Sequence, residues 1–119
     1  MGSPNVLEMI RPFDPMGSDA EEQYDTVVRR LNRVRARRNQ AARELAELER
    51  QFVEGDLTVR SGPRRGQTLS KSGRRRRLTR MLDLGAEVHQ LDEVEAFSSA
   101  ALDRMNRALD RWARETYGS

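Results

Sequence analysis

The stretch YDTVVRRLNRVRARRNQAARELAELERQF, residues 24–52, decides the architecture. Within it Tyr24, Val27, Leu31, Val34, Arg38, Ala41, Leu45, Leu48 and Phe52 recur at alternating intervals of three and four. The positions between them are largely Arg, Glu, Gln and Asn. That spacing is the heptad seam of a helix that buries one narrow stripe and leaves the rest in water. Arg38 is its single charged interruption. Just upstream, Ser18-Asp19-Ala20-Glu21 reads as a capping box, with Ser18 as N-cap and Glu21 three residues on. Downstream, Gly55 stands where a C-terminal cap belongs. The spacing therefore predicts a first long helix over 18–54.

A second run repeats the pattern. Met81, Leu84, Val88, Leu91, Glu95, Ser98, Leu102, Met105, Leu109 and Trp112 again step by three and four, within a helix predicted over 74–117. Gly85 and Ser98-Ser99 are the points where it has room to bend. Two seams of similar length fold most simply as an antiparallel pair. Setting Phe52 opposite Met81 brings Leu45 to Val88, Leu31 to Leu102 and Tyr24 to Leu109. The same register places Arg38 opposite Glu95, so the two charged interruptions form a seam polar pair that adds specificity rather than stability.

The segments outside the helices differ in character. Residues 1–17 carry Pro4, Pro12 and Pro15, which exclude a long helix and define a Pro-rich arm. Its apolar residues Val6, Leu7, Ile10, Phe13 and Met16 read as a docking surface for this chain or a neighbour. Residues 55–73 hold Gly55, Gly62, Pro63, Gly66 and Gly73 and form the connection. There Leu57–Arg60 and Gln67–Leu69 can pair as a short β-hairpin around Arg64-Arg65, with an irregular loop as the alternative. The expected fold class is all-α: a long coiled-coil hairpin with a Pro-rich N-terminal arm and a basic loop or short β-hairpin at its tip.

Composition narrows the function by exclusion. Of 119 residues, 36% are hydrophobic and 34% charged, too few apolar groups for a large round core. A two-helix layer buries little, so self-association or incorporation into a larger assembly is expected. Without cysteine there is no disulfide, thiol nucleophile or thiolate metal site, and a single histidine, His89, supports neither a His-based zinc site nor most catalytic triads. The carboxylates at Glu44, Glu47, Glu49, Asp92, Glu93 and Glu95 read as helix-surface charge. The stretch Gly66–Ser72 lacks the glycine that a phosphate-binding loop needs directly before Lys71. No enzymatic activity, cofactor or metal is expected, and no apolar run approaches a membrane span or a signal peptide. These readings place the protein in the cytoplasm, or within a virion if it is an assembly component.

Charge supplies the positive signal. The net charge is +3, yet residues 55–80 alone hold nine basic residues against Asp56. Arg60, Arg64, Arg65, Lys71, Arg74, Arg75, Arg76, Arg77 and Arg80 therefore form a candidate phosphate-backbone grip. Aromatic residues are absent from that stretch, which argues against stacking on single strands. A second group, Arg29, Arg30, Arg33, Arg35, Arg37 and Arg38, lies opposite the acids of residues 92–103 in the same register. It serves either interhelical pairing or a second phosphate surface. The expected partner is nucleic acid or an acidic protein surface. The reading is a non-enzymatic nucleic-acid-binding accessory protein, with a structural component of a phage particle or other large complex as the alternative.

Overall fold

The computed structural model describes residues 12–118. Two helices, α1 (Ala20–Glu54) and α2 (Lys71–Tyr117), pack against each other, and the described residues contain no strand longer than an isolated bridge. Every expected seam position from Tyr24 to Phe52 and from Met81 to Trp112 is buried or half-buried. The three–four spacing thus identified the contact stripe on both helices. The described chain divides into two compact units, one from residues 12–35 and 92–118, the other from residues 36–91.

In the first unit Val27, Ala101 and Met105 form the buried core, with Phe13, Tyr24 and Leu102 packed against it. Ala101 is buried although the seam was expected to run through Leu102 alone. A helix of 3.6 residues per turn drifts about 20° per heptad against a 3.5-residue stripe, which rolls the flanking residue into the interface. The Tyr24 hydroxyl donates to Asn106 Oδ1 at 2.8 Å, three residues before the expected Leu109 level. Phe13 packs on this unit's own core, the intrachain one of the two docking alternatives. Met16 remains exposed, while Val6, Leu7 and Ile10 lie outside the described residues.

The entry to α1 differs from the expected capping box. Asp14 accepts from Met16 N through its side chain and from Gly17 N through its carbonyl, both at 2.9 Å, making a tight turn at Pro15. The first helical residue is Ala20, and the Asp19 carbonyl accepts from Gln23 N at 2.9 Å, so the cap position falls on Asp19. No hydrogen bond joins Ser18 to Glu21 among the described residues. The prolyl turn offsets the chain by one residue, and local sequence could not place that offset.

In the second unit Ala41 and Leu84 are fully buried. Contacts here run in opposite chain directions: Arg37 reaches Glu87, Arg80 reaches Glu44 and Arg77 reaches Gln51. The helices are therefore antiparallel. The α1 terminus is the expected glycine cap. Asp56 N donates to the Gln51 carbonyl at 2.8 Å and Gly55 N to the Phe52 carbonyl at 3.4 Å, the paired bonds of a Schellman motif. Gly55 has φ of 72°, a left-handed conformation that costs other residues strain. The second helix starts at Lys71, earlier than expected, because Ser70 Oγ accepts from Gly73 N at 3.1 Å and caps it. It then runs unbroken through Gly85 and Ser98.

A β-carbon at Gly55 or at Gly85 would meet nothing within 4 Å, so substitution at each isolates backbone preference from packing. Gly55→Ala should lower stability by about 1 kcal/mol because of its positive φ. Gly85→Ala should raise it by about 0.8–1 kcal/mol because it removes a helix-interior glycine. Denaturant unfolding of the two variants checks both signs.

Candidate nucleic-acid interface

All nine candidate backbone-gripping cations belong to the unit formed by residues 36–91, but the structure divides them into two groups. Three serve the fold. Arg77, half-buried, donates Nη1 to Gln51 Oε1 at 2.7 Å and Nη2 to the Thr58 carbonyl at 2.6 Å. It thereby ties the first turns of α2 to the end of α1 and to the connection. Arg80 makes a two-pronged contact with Glu44, Nε to Oε1 and Nη2 to Oε2, both at 3.0 Å. Arg60 Nη2 donates to Asp56 Oδ2 at 2.6 Å and lies 3.9 Å from Glu47.

The other six, Arg64, Arg65, Lys71, Arg74, Arg75 and Arg76, are exposed. None of them forms an ion pair among the described residues. Arg64 and Arg65 sit in a loop closed by an antiparallel bridge between Thr58 and Thr68. Val59 N donates to the Gln67 carbonyl at 2.8 Å, Gly66 N to the Val59 carbonyl at 2.9 Å and Leu69 N to the Leu57 carbonyl at 2.8 Å. Lys71, Arg74, Arg75 and Arg76 occupy the first two turns of α2. That end carries the positive pole of the helix dipole, so four cations there raise an already positive potential.

The end of α1 holds a denser network than its sequence suggested. Arg50 donates Nη2 to Glu47 Oε1 at 2.6 Å and Nε to Oε2 at 2.9 Å, while its Nη1 reaches Glu54 at 2.5 Å. The Arg50 hydrogen bonds, followed by one from Gln51, lower the Glu47 pKa from 4.5 to about 2. The Arg80 hydrogen bonds likewise hold Glu44 below its ordinary value. Gln51, 5% exposed, was not singled out from sequence. Its position beside the seam residue Phe52 is the signal that marks it as a flank contact.

The mid-α1 arginines resolve partly into pairing. Arg35 Nε lies 3.3 Å from Glu95 Oε1, and Arg37 Nε lies 2.5 Å from Glu87 Oε1. Arg29 Nε donates to the Asp25 carbonyl of its own helix at 3.4 Å. Arg38, the expected seam cation, is half-buried and donates Nη2 to Asn39 Oδ1 at 3.1 Å.

Among the described residues, no group of three or more His, Cys, Asp or Glu side chains is placed to hold a metal ion, and no helix is long and apolar enough to cross a membrane. No protein family, curated protein or solved structure matches the chain.

Arg77 and Arg76 are sequence neighbours with opposite duties. Arg77→Met should destabilise the fold by about 1.5–3 kcal/mol, since it leaves half-buried acceptors without a charged donor. Arg76→Met should change stability by less than about 0.5 kcal/mol. Chemical denaturation distinguishes them. The depressed carboxylates also set an acid limb. With its folded-state value below that of the unfolded chain, Glu47 contributes stability above pH 4.5 that is lost as pH falls toward 2, and the lowered Glu44 acts in the same direction. Thermal midpoints measured across that window in low salt should fall, and Glu47→Gln should flatten the decline.

Proposed function

We propose that this chain is a non-enzymatic nucleic-acid-binding accessory protein that grips the phosphate backbone through Arg64, Arg65, Lys71, Arg74, Arg75 and Arg76. The observation that supports it is the contrast within one basic segment. Arg60, Arg77 and Arg80 are matched to acceptors, whereas the other six cations are exposed and form no ion pair among the described residues. Arginine forks fit phosphate oxygens, and the α2 terminus adds backbone N–H donors of the same polarity. With no aromatic residue in 55–80, the contacts would follow the backbone and not read bases. An alternative, a structural component docked among neighbouring subunits, draws support from exposed apolar side chains such as Leu82 and Val53.

Fluorescence anisotropy with short duplex DNA, duplex RNA and single strands over a salt series tests the reading. Six engaged phosphates on duplex DNA predict a log–log salt slope of about −5. The variant with Arg74, Arg75 and Arg76 changed to Gln should roughly halve that slope while leaving Arg77 and the fold intact. No binding at low salt, or a slope unchanged in the variant, would overturn the proposal.

A further inference from the structure

Beside the basic turns, the second unit leaves an apolar face uncovered. Leu45 and Glu49 of α1 and Leu78, Met81, Leu82, Gly85 and Ala86 of α2 line an open groove of about 640 Å³. Leu78 is 48% and Leu82 76% exposed, so two large aliphatic side chains face water on one side of the helix. Leu78, Leu82 and Gly85 are spaced four and three apart, the interval that stacks side chains on one helical face. Gly85 has open space where a β-carbon would stand, which lets a second backbone approach closely. The same face continues toward the α2 N-terminus through Arg75, Arg74 and Lys71, which form no ion pair among the described residues. An apolar floor with a cationic end is thus presented along a single helix.

We infer that this groove docks an acidic amphipathic helix of a partner protein, its apolar stripe on Leu78 and Leu82 and its carboxylates on Arg74 and Arg75. Charge favours an acidic occupant and opposes pairing of this face with itself. Residues 36–91 hold thirteen basic against seven acidic side chains, so self-pairing through this face brings two units of +6 together. The geometry follows the helix-in-groove mode, with anchors at three- and four-residue intervals and ionic contacts at the rim. This surface shares Arg74 and Arg75 with the proposed phosphate grip but excludes the loop arginines Arg64 and Arg65, whose substitution separates the two readings.

The test uses the full chain and a fluorescein-labelled synthetic peptide of about 18 residues, roughly five helical turns. The peptide carries leucine at heptad spacing and glutamate elsewhere, and a scrambled peptide of identical composition serves as control. The expected result is saturable binding of the patterned peptide. It should weaken about tenfold or more in Leu82→Glu and in the Arg74→Gln, Arg75→Gln double variant, and persist in Val53→Glu. Circular dichroism verifies that each variant remains helical. Equal binding of the scrambled peptide, no binding, or insensitivity to Leu82→Glu overturns the proposal. So does sedimentation of the wild-type chain as a dimer that Leu82→Glu dissociates, because a second copy then fills the groove. Arg64→Gln with Arg65→Gln should weaken duplex DNA without affecting the peptide, so failure of one reading is distinguishable from failure of the other.

Discussion

Everything in this protein depends on a contact stripe only one or two side chains wide. With 36% hydrophobic residues, neither helix has enough apolar surface to be buried on more than one side. The seam therefore supplies the apolar burial, through Val27, Leu31 and Ala41 on α1 and Leu84, Ala101 and Met105 on α2. A stripe this narrow leaves long charged side chains on both flanks of the interface. Their partners then come from the facing helix, as with Arg35 and Glu95 or Arg80 and Glu44. Exposed ion pairs of this kind add little stability individually, but wrong registers would set like charges against each other.

The same constraint explains the division of labour among the arginines. A cation near the seam, such as Arg77, can reach a polar group at its edge and becomes part of the fold. The exposed cations Arg74, Arg75 and Arg76, in the first two turns of α2, form no ion pair among the described residues. The result is a segment whose inner charges brace the end of α1 and whose outer charges form no ion pair among the described residues. Leu78 and Leu82 lie on the outward side too, which joins an uncovered apolar surface to the uncompensated charge.

The helix ends show how local rules and tertiary context share control. Gly55 terminates α1 by backbone chemistry alone, because its left-handed conformation closes the Schellman bonds. The two helix N-termini were offset, while α2 ends at Tyr117 as its spacing predicts. At the start of α1 the Asp14–Gly17 turn moves the cap position to Asp19, and at the start of α2 Ser70 draws the helix three residues earlier than its arginine run suggested. In both places several small polar residues are adjacent, each able to cap a helix, and packing of the chain entering the helix selects among them.

The amino-acid sequence by itself determined the two helices, the stripe each buries, the glycine stop at residue 55 and the concentration of positive charge in 55–80. These are properties of periodicity, backbone preference and counting, which need no knowledge of what lies across the interface. Only the tertiary structure decided the role of each individual arginine, the burial of Gln51 and Ala101, the use of Phe13 within the chain and the exposure of Leu78 and Leu82. Those outcomes depend on register and on the slow rotation of the seam around each helix. A shift of a single residue changes which side chain meets a partner, while the heptad pattern looks the same.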